Sequence, residues 1–234
     1  MPVREALSAR AAVRYVFVST EHPDADEIGA EAAAAGVEVV AATPAVLETV
    51  SDASTPQGIV AVVEMEDVAL SDVDEAVDLV LVLDQVRDPG NAGTLVRCAT
   101  AAGAGAVVFT KGCVDPYAPK TVRSAAGLLD HLDLVRDADL AETSRDLRSR
   151  GFAVVGTDAA APAPYDEHDY TGRVAFVVGN EAWGIAEEHR HALTDLVAIP
   201  MPGDAESLNA GIAGAILLFE AVRQRRGRLG GTAE

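Results

Sequence analysis

The sequence predicts an α/β fold in two parts, and three observations carry that expectation. Short β-branched runs alternate with helical stretches along almost all 234 residues. In the second half those runs are apolar on both faces, as strands of a parallel sheet covered by helices are. An acidic stretch, "MEDVALSDVDEAVD" (65–78), lacks strand character and separates two α/β sets.

The elements follow in order. The chain opens on a helical segment, "REALSAR", and then "VRYVFVS" (13–19), "VEVVAAT" (37–43) and "IVAVVEM" (59–65) read as strands, being rich in β-branched residues. Helical patterns near 25–35 and 44–50 lie between them, which makes residues 1–66 a small α/β set. Beyond a linker at 67–77, strands are expected at 79–86, 106–110, 153–157, 174–179 and 196–201. Helices are expected near 92–103, 117–129, 138–150, 184–194 and 207–226. "APAPYDEHDY" (161–170) reads as a surface loop because its prolines interrupt regular structure, and the tail is expected to fray after Arg226.

Composition narrows the function classes. A net charge of −19 argues against an indiscriminate nucleic-acid binder, because the averaged field repels phosphate. Of the eighteen basic residues only Lys111 and Lys120 are lysines; the remaining arginines suit bidentate phosphate contacts. No apolar run approaches the ~20 residues of a membrane span, and the start lacks a signal peptide's pattern. Cys98 and Cys113 have no metal-ligand spacing and read as free thiols in a reducing, cytoplasmic compartment.

Three motifs carry possible chemistry. In "DQVRDPGNAGTLVRCATAAGAGAVVF" (84–109) a glycine-bearing turn enters a helix, but Gly90 and Gly93 give only G-x-x-G, so a dinucleotide loop is poorly supported. Gly103 and Gly105 are better read as a helix end and a tight turn. Helix spacing alone leaves Asn91 readable as a cap and Arg97 as a snorkelling surface residue, or both as site residues. In "VAFVVGNEAWGI" (174–185) a buried strand runs into Gly179, Asn180 and Glu181, either a plain strand-to-helix turn or a ligand loop at a strand's carboxyl end. In "IPMPGDAESLNAGIAGAILLFEAVRQR" (199–225) Ser207 is expected to cap a helix starting at Leu208, whose small-sided first half admits a close backbone or a flat ligand.

Taken together, "DPGNAGTLVR", "VVGNEAWGI" and "IPMPGDAESLNAGIAGAILLFEAVRQR" resemble, in order and separation, the three motifs of the SpoU (TrmH-type) branch of the SPOUT RNA methyltransferases. "DPYAPKTVRSAAGLLDHLDL" (115–134) and "TPQGIVAVV" (55–63) extend the resemblance over nearly the whole chain. It is closest to the bacterial 23S rRNA guanosine-2′-O-methyltransferase subgroup.

The resemblance implies a SPOUT catalytic domain over 78–229 with a deep C-terminal trefoil knot, which no periodicity argument yields. It implies an L30e-like RNA substrate-binding domain over 1–66, shortened at its amino end because the further helix and strand usual in the subgroup have no match. The cofactor would be S-adenosylmethionine, held at Gly179, Asn180, Ile199, Met201 and Leu208, with Thr157 a further contact. Arg97 matches the catalytic arginine, and Asn91, Glu181, Ser207 and Asn209 match the polar residues that orient it, the ribose and the cofactor. RNA contacts would come from a patch such as Arg87, Arg97, Lys120, Arg123 and Arg173. The implied reaction is methyl transfer to a ribose 2′-hydroxyl of structured RNA, most readily rRNA, by a homodimer that needs neither metal nor membrane. A SPOUT base methyltransferase and a non-catalytic RNA-binding assembly factor are the alternatives.

Overall fold

In the computed structural model, which describes residues 2–9, 11–51 and 57–230, the run at 13–19 is a strand that buries Val16 and Val18 and exposes Arg14 and Tyr15. That alternation is what a sheet with one covered face requires. The strand belongs to the first of two units, Met1–Glu66 with Ala126–His131; the second is Asp67–Ala125 with Leu132–Glu234.

The first unit runs α1 (Pro2–Ser8), β1 (Val13–Ser19), α2 (Ala25–Ala34), β2 (Glu38–Ala42), α3 (Pro44–Val50) and β3 (Ile59–Val63). Its sheet has the order β2-β1-β3, with β2 parallel and β3 antiparallel to β1. Ile28 and Ala32 of α2 close over Val16 and Val18, making a small core. Thr55 and Pro56, which begin the quoted stretch 55–63, lie outside the described residues.

The second unit runs β4 (Leu79–Leu83), α4 (Pro89–Ala102), β5 (Ala106–Thr110), α5 (Pro119–Ala125), β6 (Asp133–Ala138), α6 (Leu140–Ser149), β7 (Ala153–Thr157), β8 (Ala163–Pro164), β9 (Val174–Val178), α7 (Glu187–Arg190), β10 (Asp195–Ala198) and α8 (Ala210–Gly230). Every pair in its seven-stranded sheet, order β6-β5-β4-β9-β7-β10-β8, is parallel. All five residues of β4, β5 and β9 are buried, so the sheet is covered on both faces, as the apolar runs predict. Val80, Val82, Val108 and Val177 pack with Leu140 and Leu147 of α6 on one side. α4 and α8 pack on each other and against β4, β5 and β9. Residues 67–77 lie on this unit, with Val73 buried and the Val68 N–H donating to the Leu134 carbonyl at 2.9 Å.

The α4–α8 crossing depends on one glycine. A Cβ at Gly214 would stand 2.2 Å from Leu95 Cδ2, and Leu95 is fully buried and has little room to give. Gly214→Ala gains roughly 1 kcal/mol of helix propensity but overpacks the core at a cost of about 1–3 kcal/mol. Urea unfolding is expected to show a net loss of up to about 2 kcal/mol; a stabilised variant would mean the helices slide apart freely.

Several elements differ from expectation. β6 lies where no strand was expected, between the helices placed near 117–129 and 138–150, because only Leu134 and Val135 of this edge strand are buried, leaving a weak apolar signal. The helix expected at 184–194 shrinks to the single turn of α7, since Gly184 (φ +68°) turns back to bridge Asn180. α8 starts at Ala210, two residues after Leu208, and continues past Arg226 to Gly230.

Candidate active site

β4, β9, β7 and β10 are adjacent parallel strands, so their carboxyl ends lie side by side along one edge. Asp84, Gly179, Thr157 and Ile199 occur there, each at or within one residue of its strand's end. Such an edge is where open α/β sheets gather ligands. Three cofactor candidates from distant parts of the chain therefore share one rim. Met201 and Leu208 lie on the segment leaving β10, half-buried and 37% exposed respectively.

The Gly179 turn is tightly built. A Cβ at Gly179 would lie 2.3 Å from the Gly184 carbonyl carbon and 2.4 Å from the Ile185 nitrogen. The loop closes on itself: the Asn180 N–H donates to the Gly184 carbonyl at 3.0 Å, and the Gly184 N–H donates back at 2.9 Å. Buried Asn180 ties this loop to the first motif, its Nδ2 donating to the Gln85 carbonyl at 2.7 Å. Its Oδ1 accepts from the Ala182 N–H at 2.8 Å.

A chain of polar contacts then joins all three motifs. Glu181 Oε2 accepts from the Arg87 N–H at 3.2 Å, while Oε1 accepts from the Asp88 N–H at 3.1 Å and from Asn91 Nδ2 at 3.0 Å. Asn91 Oδ1 accepts from Asn209 Nδ2 at 2.7 Å. Asn91 is free to do this because it does not cap α4: Asp88 is the cap, with Oδ1 accepting from the Asn91 N–H at 2.9 Å and Pro89 in the first turn. Ser207, expected to cap α8, is likewise displaced by Asn209, whose Oδ1 accepts from the Ile212 N–H at 3.2 Å. The structure thus brings Asn91, Glu181 and Asn209 together; Ser207 is exposed nearby in sequence but outside this chain of contacts.

Arg97 stands six residues beyond Asn91, about 9 Å along the helix axis. It is exposed, with no hydrogen-bond or ion-pair partner among the described residues. Lys120 Nζ approaches Asp88 at 3.5 Å, and the Arg87 guanidinium lies over the Trp183 ring at 5.2 Å. Arg173 does not join this patch. It precedes β9, at the opposite sheet edge from Gly179, where it donates to the Arg150 carbonyl and stacks on Phe152.

Electrostatics assign Glu181 a fixed charge. Burial pushes its carboxyl up, but the Asn91 amide and the N–H groups of Glu181, Arg87 and Asp88 outweigh that and hold it below the ordinary carboxylate value. A group depressed in the folded state contributes stability that is present above its unfolded pKa and lost as pH falls through the folded one. The tie therefore holds at neutral and mildly acid pH and opens only below the usual carboxylate range. Glu181→Gln places an amide N–H against backbone donors, so kcat/KM is expected to fall about 10–100-fold. The deficit should be constant from pH 6 to 8 as an order-of-magnitude window; a deficit that varies across it would make Glu181 a proton carrier.

One buried polar cluster at this rim escaped the sequence reading. Asp84 is buried at 1% exposure, accepting from His189 Nδ1 at 2.9 Å and from Thr110 Oγ1 at 3.2 Å. Thr110 Oγ1 in turn accepts from the N–H of Gln85, which has φ +57°. The signal was present: a carboxylate ending the run "LVLVLD" must find partners when buried.

The segment leaving β10 has the chemistry to wall a flat heterocycle. Ile199, Met201 and Leu208 offer partly exposed apolar walls, and residues 199–208 make no main-chain hydrogen bond among the described residues, leaving peptide donors and acceptors unspent.

Comparisons with known proteins agree with this geometry. The model of the SpoU rRNA Methylase family matches residues 78–219, and that for RNA 2′-O ribose methyltransferase substrate binding matches residues 1–69. The 23S rRNA (guanosine-2′-O-)-methyltransferase RlmB of Ralstonia nicotianae is 38% identical over 200 residues, covering 83% of this chain and 80% of the relative. The 23S rRNA (guanosine(2553)-2′-O)-methyltransferase RlmP of Bacillus subtilis is 35% identical, covering 93% and 84%. Among solved structures, the SpoU methyltransferase AviRb of Streptomyces viridochromogenes in complex with AdoMet superposes with a TM-score of 0.84 at 31% identity, covering 96% of this chain and 88% of that one. With matches over both units and motifs meeting at one sheet edge, this chain belongs to the SpoU rRNA methylase family.

Proposed function

We propose that this protein transfers the methyl group of S-adenosylmethionine to a ribose 2′-hydroxyl of structured RNA, with ribosomal RNA as the substrate class. One observation carries the reading: Asn91, Glu181 and Asn209, from three separated motifs, form one hydrogen-bonded chain on the α4 helix that also presents the unpartnered Arg97. The relatives named as 23S rRNA methyltransferases support ribosomal RNA.

S-adenosylmethionine supplies, when bound, a sulfonium-activated methyl, so no metal is required. Gly179, Asn180, Ile199, Met201 and Leu208 would hold it, with Thr157 at the neighbouring strand end. Arg97 grips the phosphate beside the target ribose and stabilises the emerging 2′-oxyanion; a guanidinium stays protonated and is a poor base, so the hydroxyl proton passes to solvent water as the oxygen takes the methyl. Asn91, Glu181 and Asn209 hold the backbone turns that aim these groups, and Ser207 meets the ribose from the 199–209 segment. Positioning supplies much of the acceleration in such a transfer.

The working form is a cytoplasmic homodimer. α8 supports this, since Ile212 and Phe219 are 52% and 49% exposed on one side of a helix whose other side is core. Residues 1–66 serve as the RNA-recognition domain, 67–77 as linker and 78–229 as the catalytic domain. The C-terminal knot is consistent with a chain that returns from β10, beyond β7, to pack α8 against α4.

The test is methyl transfer from labelled S-adenosylmethionine to rRNA taken from cells lacking the gene, with the product digested to nucleosides. Label on a ribose supports the proposal, label on a base makes the chain a base methyltransferase, and no transfer with no cofactor binding makes it a binding factor.

A further inference from the structure

Trp183 is the chain's single tryptophan, and it is 50% exposed in the loop that carries Glu181. Large aromatics left in water cost hydrophobic free energy, and in a chain with only 4% aromatics this one is conspicuous. Nor is the loop loose: the Asn180–Gly184 bridge and the Asn180 side chain pin it from both ends. The indole is therefore displayed on a rigid support.

The second observation is Arg87. Its backbone N–H is bound by Glu181, but the guanidinium has no hydrogen bond or ion pair among the described residues and lies over the indole, 5.2 Å from the ring centroid. In a chain of net charge −19, acidic partners abound and this cation has none. Its planar donors are unspent, held beside a half-exposed indole and one hydrogen bond from the Asn91–Glu181 tie.

We propose that Trp183 and Arg87 form a stacking subsite that receives an unpaired nucleobase of the RNA substrate next to the target ribose, Arg87 donating to that nucleotide's phosphate. Every base has a π-face, and indole stacking with a neighbouring guanidinium is a general means of holding a single-stranded nucleotide. The charge is complementary, and a base inside a continuous helix already has both faces stacked on its neighbours. The inference rests on the methyltransferase reading and deepens it: the substrate presents its target in a loop, bulge or end.

Because Trp183 is the only tryptophan, its fluorescence reports the subsite directly. The full chain, saturated with S-adenosylhomocysteine, is titrated with a hairpin RNA bearing an unpaired purine-rich loop and with the same stem closed as continuous duplex. Quenching by the hairpin and not by the duplex is expected. With rRNA from cells lacking the gene, Trp183→Ala should raise KM about 10–100-fold while kcat and cofactor affinity stay within about threefold. Trp183→Phe should recover most of the loss. Equal quenching by duplex, an unchanged KM, or a fall in kcat without a rise in KM overturns the subsite. So does a Trp183→Ala protein that sediments as a monomer where the parent is a dimer, since the indole would then face a second copy. If the parent protein transfers no methyl to any RNA, the methyltransferase reading fails instead, and the hairpin titration still decides the stacking.

Discussion

Arg97→Ala is expected to reduce methyl transfer by at least about 10³-fold while leaving S-adenosylmethionine affinity within about twofold. The guanidinium is exposed and has no hydrogen-bond or ion-pair partner among the described residues, so its removal breaks no such bond. α4 buries Ala92, Gly93, Leu95, Val96 and Ala99, and Arg97 is on its exposed side. Stability should therefore barely change, and the loss should fall on the chemical step. Removal of a single donor to a developing oxyanion typically costs about 10²–10³ in rate, and a phosphate grip lost with it adds to that. Arg97→Lys should recover little, because an ammonium is a point charge and cannot make the paired, planar contact. Single-turnover rates at saturating RNA, with calorimetric titration of the cofactor, separate the effects. Equal losses in both would place Arg97 in the cofactor wall and remove it from the ribose.

Much of the second unit was legible because its strands are simple physical objects. β5 and β7 occupy the expected ranges, and β4 and β9 fall inside theirs, since a strand buried on both faces needs an unbroken apolar run. β6 was not legible for the converse reason: at the sheet edge only two of its six residues are buried. The caps failed differently. Asp88, followed by Pro89, is the stronger local start signal for α4, whereas Asn91 was readable as the cap only while its real partners, 90 and 118 residues away, were unknown. Ser207 and Asn209 are both good caps by type, and the choice between them is made by the bond from Asn209 to Asn91. The Asp84–His189 contact spans 105 residues, and no local pattern announces the histidine. What could be read locally was where strands end and turns begin; which side chains meet was decided by tertiary contacts.

Gly179→Ala is expected to lower S-adenosylmethionine affinity by at least about 100-fold, with activity falling in step. The added methyl would sit 2.3–2.6 Å from the Gly184 carbonyl carbon, the Ile185 nitrogen and the Gly184 oxygen, all main-chain atoms. A side chain could rotate away; a backbone can yield only by moving the loop. Moving it opens the paired Asn180–Gly184 hydrogen bonds, disturbs Ile185 at 3% exposure and pulls Asn180 from the Gln85 carbonyl. The damage is directed, because these contacts join the end of β9 to the turn after β4. Gly156→Ala is the informative control. Its Cβ would meet Ile185 Cδ1 and Leu193 Cδ1 at 2.6 Å, the far ends of side chains, one strand over on the same sheet. Overpacking there should cost about 1–3 kcal/mol in stability while most cofactor affinity survives. If Gly179→Ala instead lost stability without losing cofactor affinity, or Gly156→Ala lost both equally, the 179–184 turn would be a structural corner, and the cofactor's walls would have to be sought along another part of the rim.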